Sequence, residues 1–262
     1  MQKDNRPYVV MQMSVSVDGR IAFGPSMTMF DKHPASDLLP DEGPLWKKVM
    51  DAISQEWHPQ GTMMGSGTVE REDAPLRELP KFDGDASLLY VDFLPEEVIA
   101  STRNWSILVD GRGRCRGGYK ATENPGCHIL HLVSCSVPPE HLAFLRGERI
   151  PYLIGGHGHA DLEGALHKLY TLLGVRAMCL WGGGTLNGVM LRAGLIDEIH
   201  LILKPVLIGG HRVPTLADCN DLSIDEQPAI LQLVSAQVQD HGFLWLHYKV
   251  VNNCTAPLNM DT

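Results

Sequence analysis

Apolar and polar positions change period several times along the chain, and those changes predict its elements. Residues 7–17 alternate and are rich in β-branched and methionine side chains, which predicts a strand that Asp18-Gly19 ends or bends. Between Pro44 and Trp57 the apolar set Leu45, Trp46, Val49, Met50 and Ile53 falls on one helical face, with Pro44 suited to a first turn. Thr62-Met63-Met64 predicts another strand, closed by Gly65-Ser66-Gly67-Thr68 turning into a short helix. Residues 73–104 lose periodicity and carry Pro75, Pro80 and Pro95, so a long, partly irregular excursion is predicted. Strands resume at 105–109, 128–133 and 152–154, and a helix is predicted over 162–173.

The richest stretch runs from 175 to 210. A buried strand at 175–180 enters Gly182-Gly183-Gly184, a helix follows with Leu186, Val189, Met190 and Leu191, and a strand returns at 196–203. Glycines admit close backbone approach, and a helix opening near Thr185 aims unpaired N–H groups and a positive dipole end at an anion such as a phosphate. A tight strand-to-helix turn needs the same residues without any ligand. The apolar run from Leu201 to Ile208 reads as strand up to Gly209-Gly210, a second glycine-rich strand end, where ligands of α/β sheets gather. Runs at 231–238 and 243–250 around Asp240-His241-Gly242 predict a hairpin, and the polar stretch from Asn252 predicts a frayed tail. The order of elements predicts an α/β fold in one domain over 1–251: a mixed, mainly parallel sheet flanked by helices, with a C-terminal antiparallel hairpin.

Composition narrows the function. The chain has 262 residues, 44% of them hydrophobic, and a formal charge of −9, with Lys and Arg scattered rather than clustered, which argues against a duplex nucleic-acid binder. No apolar run reaches the length of a membrane span, and the polar opening residues lack a signal peptide's apolar centre, so a cytoplasmic protein is expected. Six cysteines form no C-x-x-C pair and read as free thiols. Of twelve histidines, those of Gly155-Gly156-His157-Gly158-His159 are the most suggestive of a metal, and without a carboxylate or third histidine at a matching interval the segment reads as a turn. No metal is expected.

Four segments, taken together and in this order, give the chain a resemblance: S-V-S-V-D-G-R-I-A at Ser14 to Ala22, G-S-G-T-V-E-R-E-D at Gly65 to Asp73, L-V-D-G-R-G-R at Leu108 to Arg114, and the glycine-rich region from Trp181 to Gly210. The chain resembles the pyrimidine reductases of riboflavin biosynthesis, whose fold is that of dihydrofolate reductase. The resemblance implies hydride transfer from NADPH to C1′ of a ribosylamino-pyrimidine 5′-phosphate, opening the sugar to a ribityl chain. The zinc motifs of the deaminase fused to many such reductases, H-x-E and P-C-x-x-C, do not occur here, so a reductase without its deaminase is implied. The protein's task would be to position the nicotinamide and exclude water, with no protein nucleophile.

Carried over by position, Thr68 and Glu72 correspond to cofactor contacts, and Gly182, Gly183, Gly184 and Thr185 to the pyrophosphate loop. Gly111 stands where a serine is common, and Arg112 or Arg114 is placed to meet the 2′-phosphate of NADP, or else to form a solvated basic turn. Toward substrate, the resemblance points to Gln12, Asp18, Arg77 and Trp181. Two of these depart from the family pattern: Trp181 replaces a glutamate, and Gln12 replaces a lysine common in bacterial members. An indole only donates where a carboxylate accepts, so another heterocyclic substrate, or a non-catalytic nucleotide-binding protein, stays open. A homodimer is implied by resemblance, with the apolar strands near Ile199 to Leu207 as its surface.

Overall fold

The computed structural model describes residues 5–120 and 124–251; the tail expected from Asn252 lies outside the described residues. Contacts divide the chain into two compact units, one built on Gln60–Arg176 and the other on Tyr8–Pro59 with the chain from Ala177 onward.

The first unit carries four parallel strands, β2 (Gly61–Gly65), β3 (Asn104–Val109), β4 (Cys127–Val133) and β5 (Tyr152–Ile154), in the order β5-β4-β3-β2. Between β4 and β5 lies α4 (Pro139–Gly147), and after β5 comes α5 (Leu162–Leu172), where Asp161 caps the helix by accepting from the Gly164 N–H at 2.9 Å. A core of Val133, Val137, Leu142, Leu145, Ile150 and Tyr152 fixes α4 on this sheet. The helix is absent from the sequence pattern because its inward face includes His141, a fully buried polar residue, beside Leu142 and Leu145. The short α3 (Glu96–Ser101) is likewise unforeseen within the irregular excursion; six residues are too few to show a period. α2 (Ser66–Val69) is the short helix expected after β2.

The second unit holds β1 (Tyr8–Ser16), β6 (Ala177–Leu180), β7 (Glu198–Lys204), β8 (Leu231–Val238) and β9 (Leu244–Val250), ordered β6-β1-β7-β9-β8. β1 is parallel to both neighbours, while β7, β9 and β8 run antiparallel in turn, so the mixed sheet and its C-terminal hairpin agree with the sequence pattern. One face of this sheet packs under α1 (Gly43–Trp57): Val10 of β1, Cys179 of β6, Ile202 of β7 and Trp245 of β9 meet Leu45, Val49 and Ile53. Each fully buried aliphatic side chain there contributes roughly 1.5–3 kcal/mol. α6 (Gly184–Arg192) connects β6 to β7. The apolar pattern around 201–208 overshoots, because β7 stops at Lys204, before Pro205, which has no N–H to extend a ladder.

β7 lies between β1 and β9 with Ile199 and Ile202 buried, while Leu201 and Leu203 are half-buried and Leu207 beyond the strand is exposed. The exposed apolar strand is β8, where Leu233, Val234 and Val238 face solvent.

Candidate functional site

In the second unit, β1 places Gln12 and Trp181 in contact just past the end of β6. Gln12 is fully buried, and the Trp181 indole N–H donates to its Oε1 at 3.2 Å. An indole can only donate, so this bond fixes the orientation of the amide and leaves its Nε2 as the free end. Gln12 Nε2 is buried with no hydrogen-bond partner, as is Ser14 Oγ two residues along the same face of β1. Trp181 is itself held edge-on to Trp46 of α1, with ring centroids 5.9 Å apart. Two adjacent buried polar atoms without partners are uncommon, and they give this end of β1 the chemistry to meet a polar ligand.

The glycine turn follows directly. Gly183 is the N-cap of α6 and brings no side chain to its N-terminus; Thr185 is exposed. The flanking glycines are required by the chain's own packing. A Cβ on Gly184 would lie 2.1 Å from Asp218 Oδ2 and 2.5 Å from the Thr215 carbonyl, and one on Gly182 would meet the Asn187 amide at 2.8 Å. Asp218 in turn accepts from the Thr215 hydroxyl at 2.6 Å. Close approach to a ligand therefore concerns the middle of the turn and the helix end, not all of the glycines.

Asp18 is engaged by its own chain. Its carboxylate accepts from Ser16 Oγ at 2.6 Å and from the backbone N–H groups of Ile208 and Gly209 at 3.0 and 2.6 Å. The Ser16 bond first, then those amides, holds its pKa down to about 2. Asp18 thus pins the first turn to the stretch after β7, linking the two glycine-marked segments of the sequence.

In the first unit the candidates cluster around the Asp110 turn that follows β3. The Arg112 guanidinium pairs with the Glu72 carboxylate, both more than half exposed. Arg114 donates to the carbonyls of Arg71 and Glu72 at 2.9 Å each, so the two arginines and Glu72 form one assembly. Thr68 lies half-buried in α2. Arg77 donates to the Arg116 carbonyl at 3.2 Å and stacks on Phe144 with 5.6 Å to the ring centroid. Gly111 has a packing cause: a Cβ there would sit 2.9 Å from the backbone N of Ala160, closer than a serine tolerates without movement.

Two groups of titratable residues escaped the sequence reading. Asp110, His131 and His141 converge in the first unit, and Glu198, His200 and His247 in the second. Their members are separated by up to about fifty positions along the chain, and only strand register and helix packing unite them; His157 and His159, the pair with a local spacing, belong to neither. In the second group the Trp245 indole donates to His200 Nδ1 at 3.1 Å, which leaves His200 Nε2 to donate to Glu198 at 3.1 Å. His247 Nε2 and the Tyr8 hydroxyl donate to the same carboxylate, the latter at 2.9 Å. Burial alone would raise the Glu198 pKa, but the His200 and Tyr8 hydrogen bonds and the neighbouring His247 outweigh it and bring it to about 2. No helix among the described residues is long and apolar enough to cross a membrane.

A family model described as the RibD C-terminal domain matches residues 7–244. A protein of Methanothermobacter thermautotrophicus named 2,5-diamino-6-ribosylamino-4(3H)-pyrimidinone 5′-phosphate reductase is 28% identical over 228 residues, covering 87% of this chain and 90% of that protein. A protein of the same name from Aquifex aeolicus is 33% identical over 211 residues, covering 80% and 82%. Among solved structures, a pyrimidine reductase-like protein from Corynebacterium diphtheriae shares the fold with a TM-score of 0.63 at 14% identity, over 95% of this chain and 93% of that one.

Proposed function

Because the chain belongs to the RibD C-terminal domain family, we propose that it reduces a ribosylamino-pyrimidine 5′-phosphate to its ribitylamino form with NADPH. When bound, the nicotinamide supplies the hydride. In the second unit, the N-terminus of α6 from Gly182 to Thr185 would take the diphosphate, since its N-cap residue leaves room and the helix dipole favours an anion. In the first unit, Arg112 would take the 2′-phosphate beside Thr68, Glu72 and Gly111. Its present partnership with Glu72 is solvent-exposed and worth at most about 1 kcal/mol, which a phosphate can displace. Arg77 is the proposed ligand of the substrate phosphate, and Asp18 shapes the turn through which substrate contacts follow β1. A homodimer would use the exposed apolar residues of β8 beside the stretch that ends at Leu207.

The observation that carries the substrate side is the unpartnered Gln12 Nε2. A buried amide donor held in place by Trp181 suits a carbonyl or ring-nitrogen acceptor of a pyrimidinone, and the exchange of Lys and Glu for Gln12 and Trp181 keeps a donor while removing both charges. Binding is tested by titrating NADPH into the protein and following fluorescence; no binding would end the cofactor reading. Consumption of NADPH on addition of 2,5-diamino-6-ribosylamino-4(3H)-pyrimidinone 5′-phosphate tests the substrate. Binding without turnover would instead favour a different heterocycle. Gln12→Leu is expected to lower kcat/KM about 10–100-fold in a protein that still folds by circular dichroism, because it removes the donor offered to substrate together with the acceptor of the Trp181 N–H. Full activity in that variant would remove Gln12 from the site.

A further inference from the structure

The group in the first unit asks for a partner that the surrounding protein does not provide. Asp110 stands immediately after β3, His131 within β4 and His141 within α4, and they are 0%, 4% and 0% exposed. The Asp110 carboxylate accepts from the backbone N–H groups of Arg114 and Cys115 at 2.8 and 2.9 Å. The nearby guanidiniums turn to backbone carbonyls, Arg114 to those of Arg71 and Glu72, Arg116 to those of Gly113 and Arg77. His131 Nδ1 and both ring nitrogens of His141 are buried with no hydrogen-bond partner. Folded proteins rarely bury ring nitrogens this way, and here two of the unpartnered atoms, His131 Nδ1 and His141 Nε2, face one carboxylate.

Distances distinguish what such a set can hold. His141 Nε2 and His131 Nδ1 lie 3.6 and 3.8 Å from Asp110 Oδ2, too long for hydrogen bonds, and the three ligand atoms all fall within 4.8 Å of one another. A tetrahedral ion with ligands at about 2.0–2.2 Å spaces them by roughly 3.4 Å. A water molecule hydrogen-bonded at about 2.8 Å would space them by roughly 4.6 Å. The two separations from Asp110, 3.6 and 3.8 Å, fall on the metal side.

We propose that Asp110, His131 and His141 form a three-ligand site for a divalent first-row metal of the zinc class, joining the Asp110 turn, β4 and α4. Two imidazoles and one carboxylate are a donor set suited to zinc, cobalt or nickel and poor for calcium or magnesium. The comparable group at Glu198 needs no ion, since its nitrogens and carboxylate already answer one another.

The untagged full chain, stripped with a chelator and dialysed, is titrated with Co²⁺ and read by its visible absorption, then back-titrated with Zn²⁺. One equivalent with the intense bands of four-coordinate cobalt, displaced by zinc, is the expected result. His141→Gln and His131→Gln should each weaken binding by about 100-fold or more, whereas Glu198→Gln should keep the full equivalent. Circular dichroism separates lost binding from lost folding. The proposal is overturned if folded wild-type protein takes up no cobalt, if folded His141→Gln binds as well as wild type, or if folded Glu198→Gln is the variant that loses the ion.

Discussion

Each unit contains an acid with two histidines, and the two groups use nearly the same residue types in opposite ways. Around Glu198, three side-chain donors from His200, His247 and Tyr8 meet the two carboxylate oxygens, and Trp245 completes His200. Around Asp110, backbone amides take the carboxylate and the imidazoles stay 3.6 and 3.8 Å away without partners. The first arrangement is a closed hydrogen-bond network, and the second is an open set of ligand atoms. Residue composition does not distinguish them; the direction of each ring nitrogen does.

The largest effect that should separate the two comes from Glu198→Gln. A carboxamide offers one accepting oxygen to three donors and turns its own N–H₂ toward at least one of them, so a loss of about 3 kcal/mol in urea unfolding is expected. A change below the error of the measurement would mean that the network is not intact. His200→Leu should follow at about 2 kcal/mol, because it strands both the Trp245 N–H and one side of Glu198. His141→Leu, tested in chelator, should cost little or gain up to about 1 kcal/mol, since it removes nitrogens that the protein leaves unsatisfied. Equal losses in these two leucine variants would erase the contrast.

Acid gives the smallest and most graded test. Glu198 has a folded pKa near 2 against an ordinary 4.5, so the unfolded chain binds its proton first as pH falls. Its contribution is complete above pH 4.5 and is lost between 4.5 and 2. The stability difference between wild type and Glu198→Gln should therefore shrink across that window and stay level above it. A difference that instead widened on acidification would reverse the assigned sign.

Much of the fold was legible before any coordinates. Alternation in β1, the one-sided apolar set of α1 and the strand-glycine-helix order at β6 and α6 are local signals, and local sterics and burial act on them directly. Helix α4 is hidden because His141 interrupts its apolar face, and the apolar run to Ile208 overshoots the end of β7 at Lys204 because Pro205 cannot extend the ladder. Of the candidate site residues, the sequence marked Gln12, Trp181, Arg112 and Glu72. It did not reveal that the first two share a hydrogen bond or that the last two share a charge pair.

By itself, the chain's sequence determined its class of fold, its family motifs and the glycines that its turns demand, since each depends on neighbours within a few positions. Only tertiary structure decided that Gly111 and Gly184 are forced by Ala160 and Asp218, that Asp18 answers Ile208 and Gly209, and that Asp110 finds His131 and His141. Those outcomes depend on contacts between residues distant in the chain. A hydrogen bond or a coordination sphere is set by tenths of an ångström that strand register and helix packing establish, and no periodicity in the sequence encodes them.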